Sequence, residues 1–80
     1  MDHDYRQFLA ERFDLLVTAT SQSDDGYRGR LLLRAGRNDV EAWRCDHPHT
    51  TQGLAFACAE AEKISLRSER EASRRRRLQR

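Results

Sequence analysis

From Tyr27 onward the chain sets Tyr27, Gly29, Leu31, Leu33 and Ala35 on one side of an extended backbone and Arg28, Arg30, Leu32 and Arg34 on the other. This period-two alternation predicts a strand with one apolar face and one cationic face. Such a strand constrains everything built around it. Its main-chain edges need neighbouring strands and its apolar face needs a cover, while the other face is left to solvent or a partner. The flanking sequence supplies the neighbours. Upstream, Phe13, Leu15, Val17 and Ala19 alternate with Asp14, Leu16, Thr18 and Thr20, and Ser21-Gln22-Ser23-Asp24-Asp25-Gly26 has a turn composition. Downstream, Gly36-Arg37-Asn38-Asp39 reads as a tight turn before residues 40–45, in which Trp43 and Cys45 share one face and Ala42 and Arg44 the other. Three strands joined by short connections predict an antiparallel meander.

The cover comes from helices at the two ends. Residues 2–12 place Tyr5, Phe8 and Leu9 on one side at helical spacing, with Asp2 or Asp4 to cap the start. Leu16 also lies on the Tyr5 stripe, but the Val and Thr content after Phe13 favours a strand there. The last element begins near Pro48 or Thr50, with Thr50 or Thr51 as its cap. At 100° per residue, Ala57, Cys58, Ala61 and Ile64 fall near Leu54, so this stripe is expected to lie on the sheet, with Phe56 and Leu66 off it. The expected fold is therefore α+β: a short N-terminal helix, a three-stranded antiparallel meander and a long C-terminal helix, in the order αβββα. Residues 1–66 form the domain and residues 67–80 an arginine-rich helical extension or tail.

Eighty residues bound the function as well. A chain of this length buries only about 60% of its unfolded surface, which gives one thin core and no deep cleft, so binding is expected rather than catalysis. No apolar run approaches the roughly 20 residues that span a bilayer. The start Met1-Asp2-His3-Asp4 is acidic where a secretory signal is basic, and the expectation is a cytoplasmic protein with no membrane partner.

Charge is distributed unevenly. Residues 67–80 hold seven arginines and two glutamates, whereas residues 1–66 hold eight cations against eleven anions. Arg67, Arg70, Arg74, Arg75, Arg76, Arg77 and Arg80 form the expected nucleic-acid contacts, since guanidinium groups neutralise phosphates and release counterions. Arg28, Arg30 and Arg34 on the outer strand face make a second set. Glu71, at helical neighbour spacing from Arg67, Arg74 and Arg75, is expected to offset part of this charge. The competing reading is a solvated, solubilising tail. In that case Phe56, Leu66 and Leu32 would contact a protein partner or a second copy, and Leu16 joins Leu32 as an unusually apolar residue on an outer face.

Cys45, His47, His49 and Cys58 together have the donor types of a zinc ligand set, on a strand end, a turn and the second turn of a helix. Two further readings stand beside it: the cysteines as small buried hydrophobes, or as a dithiol close enough to oxidise.

Two resemblances accompany these patterns. The αβββα order over residues 4–64 resembles the double-stranded-RNA-binding domain, although the stretch His49-Thr50-Thr51-Gln52-Gly53 stands where that family is rich in lysine. The strands followed by a helix also resemble the AP2-like arm-binding domains of integrases. The motif Trp43-x-Cys45-x-His47-x-His49-x-Thr51 with Ala57-Cys58-Ala59 resembles small uncharacterised proteins of actinobacteria and their phages, which implies a shared fold and no particular activity.

Overall fold

The computed structural model describes residues 3–78. Helix α1 (His3–Glu11) leads through a 3-10 turn (Phe13–Leu15) into β1 (Leu16–Ser23), β2 (Gly26–Ala35) and β3 (Asn38–Arg44), and α2 (Gln52–Leu78) completes an α+β fold. The sheet is an antiparallel meander in the order β1-β2-β3. Both helices lie on one side of it. The inner face presents Leu16, Gly29, Leu31 and Trp43. The outer face carries Val17, Ala19, Arg28, Arg30, Leu32 and Arg34. No helix among the described residues is long and apolar enough to cross a membrane.

The strand expected from Phe13 begins three residues later and turns its other face inward. Phe13 lies in the 3-10 turn, with Lys63 at 5.2 Å and Arg70 at 5.1 Å from its ring centroid, while Leu16 enters the core. Leu16 is therefore not an outer-face residue, because the tight turn resets the alternation by one position. A second irregularity follows between Leu31 and Leu32, where a bulge shifts β3 so that Leu31 faces Trp43 and Leu32 faces Glu41. The extra residue bends the strand. Ala42 consequently packs against the core instead of sharing the outer side with Arg44, and its carbonyl accepts a hydrogen bond from the Tyr5 hydroxyl at 2.6 Å.

The largest correction concerns α2. Its cap is Thr51, whose hydroxyl accepts from the Leu54 amide at 3.2 Å. Its covered stripe, however, is Ala55, Ala59 and Leu66, not Leu54, Ala57, Ala61 and Ile64. Leu54 and Ile64 are each 53% exposed, whereas Leu66, expected off the stripe as a partner contact, is fully buried with Leu9, Leu16 and Leu31. The physical reason is steric. Gly29 lies under the helix, and a β-carbon there would stand 3.0 Å from Ala59 Cβ and overlap the Ala55 carbonyl. The small Ala55/Ala59 side lets the two backbones come this close.

Candidate functional site

Helix α2 runs unbroken across position 66, and its second half lies beside α1 rather than standing alone. Arg6 is central to that contact. Its guanidinium bonds Glu62, Glu69 at 3.0 Å and Ser65 at 3.2 Å. Partial burial disfavours the Arg6 charge, and the hydrogen bonds and charges of Glu62 and Glu69 outweigh it, so its pKa is raised. Farther along, Arg70 reaches Asp14 at 3.3 Å and Arg77 reaches Glu11 at 3.1 Å. Two arginines of the basic segment are thus consumed by the protein's own carboxylates. The signal for this lay in Glu11, the last residue of α1, and Asp14 in the 3-10 turn after it, which nothing local pairs with the far end of the chain.

Arg67, Arg74, Arg75 and Arg76 are different. Among the described residues none of the four takes part in an ion pair, and all four are exposed. The expected compensation by Glu71 does not occur among the ion pairs of the described residues. At 100° per residue, Arg67 and Arg74 project within about 20° of each other, about 10 Å apart along the axis, while Arg75 lies about 80° round from Arg67 and Arg76 about 180°, on the opposite side of the helix. Arg80 lies outside the described residues. Between α1 and the last turns of α2 runs a groove of about 460 Å³, with Arg74 and Arg76 along it and Glu11 and Glu69 in its lining. Arg70 and Arg77 line it as well, so four arginines face two glutamates there.

The outer-strand arginines are mostly occupied. Arg28 bonds Asp25 at 3.1 Å and the Cys45 carbonyl at 3.2 Å, and Arg30 and Arg44 share Glu41 at 2.6 and 3.0 Å. Desolvation works against the Glu41 charge, but bonds from Arg30 and Arg44 prevail and hold its pKa below the ordinary carboxylate value. Arg34 is exposed without an ion pair among the described residues, near Leu32, which is half-buried on the same face. Phe56 is 45% exposed on α2.

At the opposite end of α2, the segment after β3 continues along β2. Cys45 donates its amide to the Gly29 carbonyl at 3.0 Å, and His49 exchanges both main-chain bonds with Tyr27, at 2.7 and 2.9 Å. Gly26, at φ +132°, makes room for this pairing, since a β-carbon there would stand 2.5 Å from the His49 carbonyl. Cys45, His49 and Cys58 are thereby brought together, with donor atoms all within 4.8 Å of one another. Both thiols are free. Burial raises the pKa of Cys58, and the neighbouring Cys45 adds to the rise. His47 stands apart from the trio, its ring centroid 4.5 Å from that of His49 and its Nδ1 2.8 Å from Asp46. Hydrogen bonding to His47 lowers the Asp46 pKa.

No family model, curated protein or solved structure matches the chain.

Proposed function

We propose that the protein is a small non-enzymatic binding protein that associates with nucleic acid by contacting phosphates through Arg67, Arg74, Arg75 and Arg76. The observation supporting this reading is that these four guanidiniums are exposed and free of ion pairs among the described residues, while Arg70 and Arg77 are neutralised internally. A cluster of unpaired cations on one end of a rigid helix favours a polyanion with closely spaced charges. Arg34 supplies a second, separate point of contact. Binding of this kind is electrostatic and largely independent of base sequence.

The test is a fluorescence-anisotropy titration with a labelled duplex and a labelled single strand across a range of salt concentrations. Four phosphate contacts give a log–log salt slope of about −3.6 on duplex and about −2.8 on single strand. Replacing the four arginines by glutamine should remove this part of the slope and leave only the Arg34 contribution of about −0.9 on duplex. Absence of binding at low ionic strength, or an unchanged slope in the quadruple variant, would refute the reading.

A second reading is self-association through the bare stripe Leu54, Ala57, Ala61 and Ile64, whose three- and four-residue spacing is that of a helix–helix seam. The occupant we favour is α2 of a second copy in antiparallel orientation, which pairs Leu54 with Ile64 and Ala57 with Ala61 across the seam. Sedimentation equilibrium should then show a dimer that Ile64→Glu dissociates. A monomer at all concentrations excludes it.

A further inference from the structure

We propose that Cys45, His49 and Cys58 form a zinc site, with His47 closing the fourth corner. Two thiols and an imidazole are a donor set that suits Zn2+ over harder cations. The cluster's greatest donor separation is 4.8 Å. Tetrahedral zinc with bonds of about 2.0–2.3 Å requires donor–donor edges of about 3.3–3.8 Å. The required contraction is about 1 Å, within the reach of side-chain rotation.

Three features beyond donor type point to a metal. His49 Nε2 is buried and has no hydrogen-bond partner, which leaves a costly orphan unless the atom binds something. The backbone of that histidine is fixed on both sides by its pairing with Tyr27, so the ring is delivered to the cluster by main-chain geometry rather than by a mobile loop. The Gly29 amide, at 3.2 Å from Cys45 Sγ, is a donor aimed at a sulfur, the arrangement that stabilises a metal-bound thiolate.

His47 completes the set through its own partner. Its Nδ1 lies 2.8 Å from the Asp46 carboxylate. When Nδ1–H donates to that carboxylate, the lone pair is on Nε2, the atom free to ligate. The ring already neighbours that of His49. Binding replaces the two thiol protons with the metal and releases them to solvent, with no change of oxidation state. The site would cross-link the end of β3, the segment paired with Tyr27 and the second turn of α2, and small domains commonly need such a staple.

The experiment uses the full chain, stripped of metal and kept reduced, titrated with Zn2+ against a chromophoric chelator and in parallel with Co2+. The expected result is one metal per chain, thiolate-to-Co2+ charge-transfer absorption and the intense visible bands of tetrahedral cobalt. Cys58→Ser, at a half-buried position that leaves the buried Cys45 in place, should abolish the charge-transfer intensity of one thiolate and weaken zinc binding at least a hundredfold. His49→Ala should weaken it comparably, and His47→Ala about tenfold or more. Circular dichroism of each apo variant establishes that the fold persists. Zinc bound no more tightly by the wild type than by Cys58→Ser, or octahedral cobalt spectra without charge transfer, would overturn the site. A His47→Ala variant with unchanged affinity would overturn the fourth-ligand assignment.

Discussion

The main-chain carbonyl of Ala55 occupies the space where a β-carbon on Gly29 would have to stand. This contact marks the side of α2 that faces the sheet, the side that also buries Leu66. Gly29→Ala should therefore destabilise the protein by about 3 kcal/mol, at the upper end of the range for overpacking, because backbone rather than a flexible side chain must yield. Gly53→Ala, at a helical position with open space around it, should instead stabilise by about 0.5–1 kcal/mol. Urea denaturation of both variants measures the contrast.

Leu66 and Ile64 exchange the roles that helical periodicity suggests. Leu66→Ala empties a fully buried position among Leu9, Leu16 and Leu31 and should cost about 2–5 kcal/mol, independent of protein concentration. Ile64→Ala should change the stability of the isolated chain by no more than about 0.5 kcal/mol. Any larger effect of Ile64→Ala that grows with protein concentration would report loss of a dimer seam.

The strand pattern was readable because β2 alternates cleanly, and a one-sided strand between two turn compositions has few alternatives. The register details were not, since the bulge beside Leu31 and the 3-10 turn at Phe13 each move later residues by one position without changing composition. Helix α2 was harder for a different reason. It has apolar residues on two sides, and periodicity cannot rank Leu54/Ala57/Ala61/Ile64 above or below Ala55/Ala59/Leu66. The contact of Gly29 with Ala55 and Ala59, 26 and 30 residues away in sequence, is tertiary and leaves no local signature. The Cys/His donors were visible by type. That three of the four converge follows from the pairing of His49 with Tyr27, a long-range bridge with no local signature.

Arginines of the same segment should separate into two classes. Arg70→Ala removes a mostly buried side chain that pairs with Asp14 and lies 5.1 Å from the Phe13 ring centroid, and should cost about 1–2 kcal/mol with little effect on the salt slope. Arg77→Ala breaks an exposed pair and should stay within about 0.5 kcal/mol. Arg74→Gln and Arg75→Gln should leave thermal unfolding unchanged and each reduce the duplex salt slope by about 0.9.

Acid should reveal the bridge at Glu41. Its pKa is lowered in the folded state by Arg30 and Arg44, against the desolvation that opposes it. A carboxylate whose folded pKa lies below its unfolded value contributes stability above the unfolded pKa, and this contribution disappears as pH falls through the folded one. Wild type should accordingly exceed Glu41→Gln in stability at pH 7, with the difference shrinking below about pH 4.5 and vanishing once the group is protonated in both states. Denaturation of metal-free protein at several pH values measures it.

The covered side of α2 changes along its length from Ala55 and Ala59, through Leu66, to the Arg6-bound Glu69 and the loosely packed Ser73. Mechanically this is a beam supported along its length, by the backbone contact over Gly29, by the buried Leu66, and by the bonds of Arg6, Asp14 and Glu11 to its second half. Arg75 stands about 25 Å along the axis from the alanine contact, so α1 as well as the sheet sets where it stands.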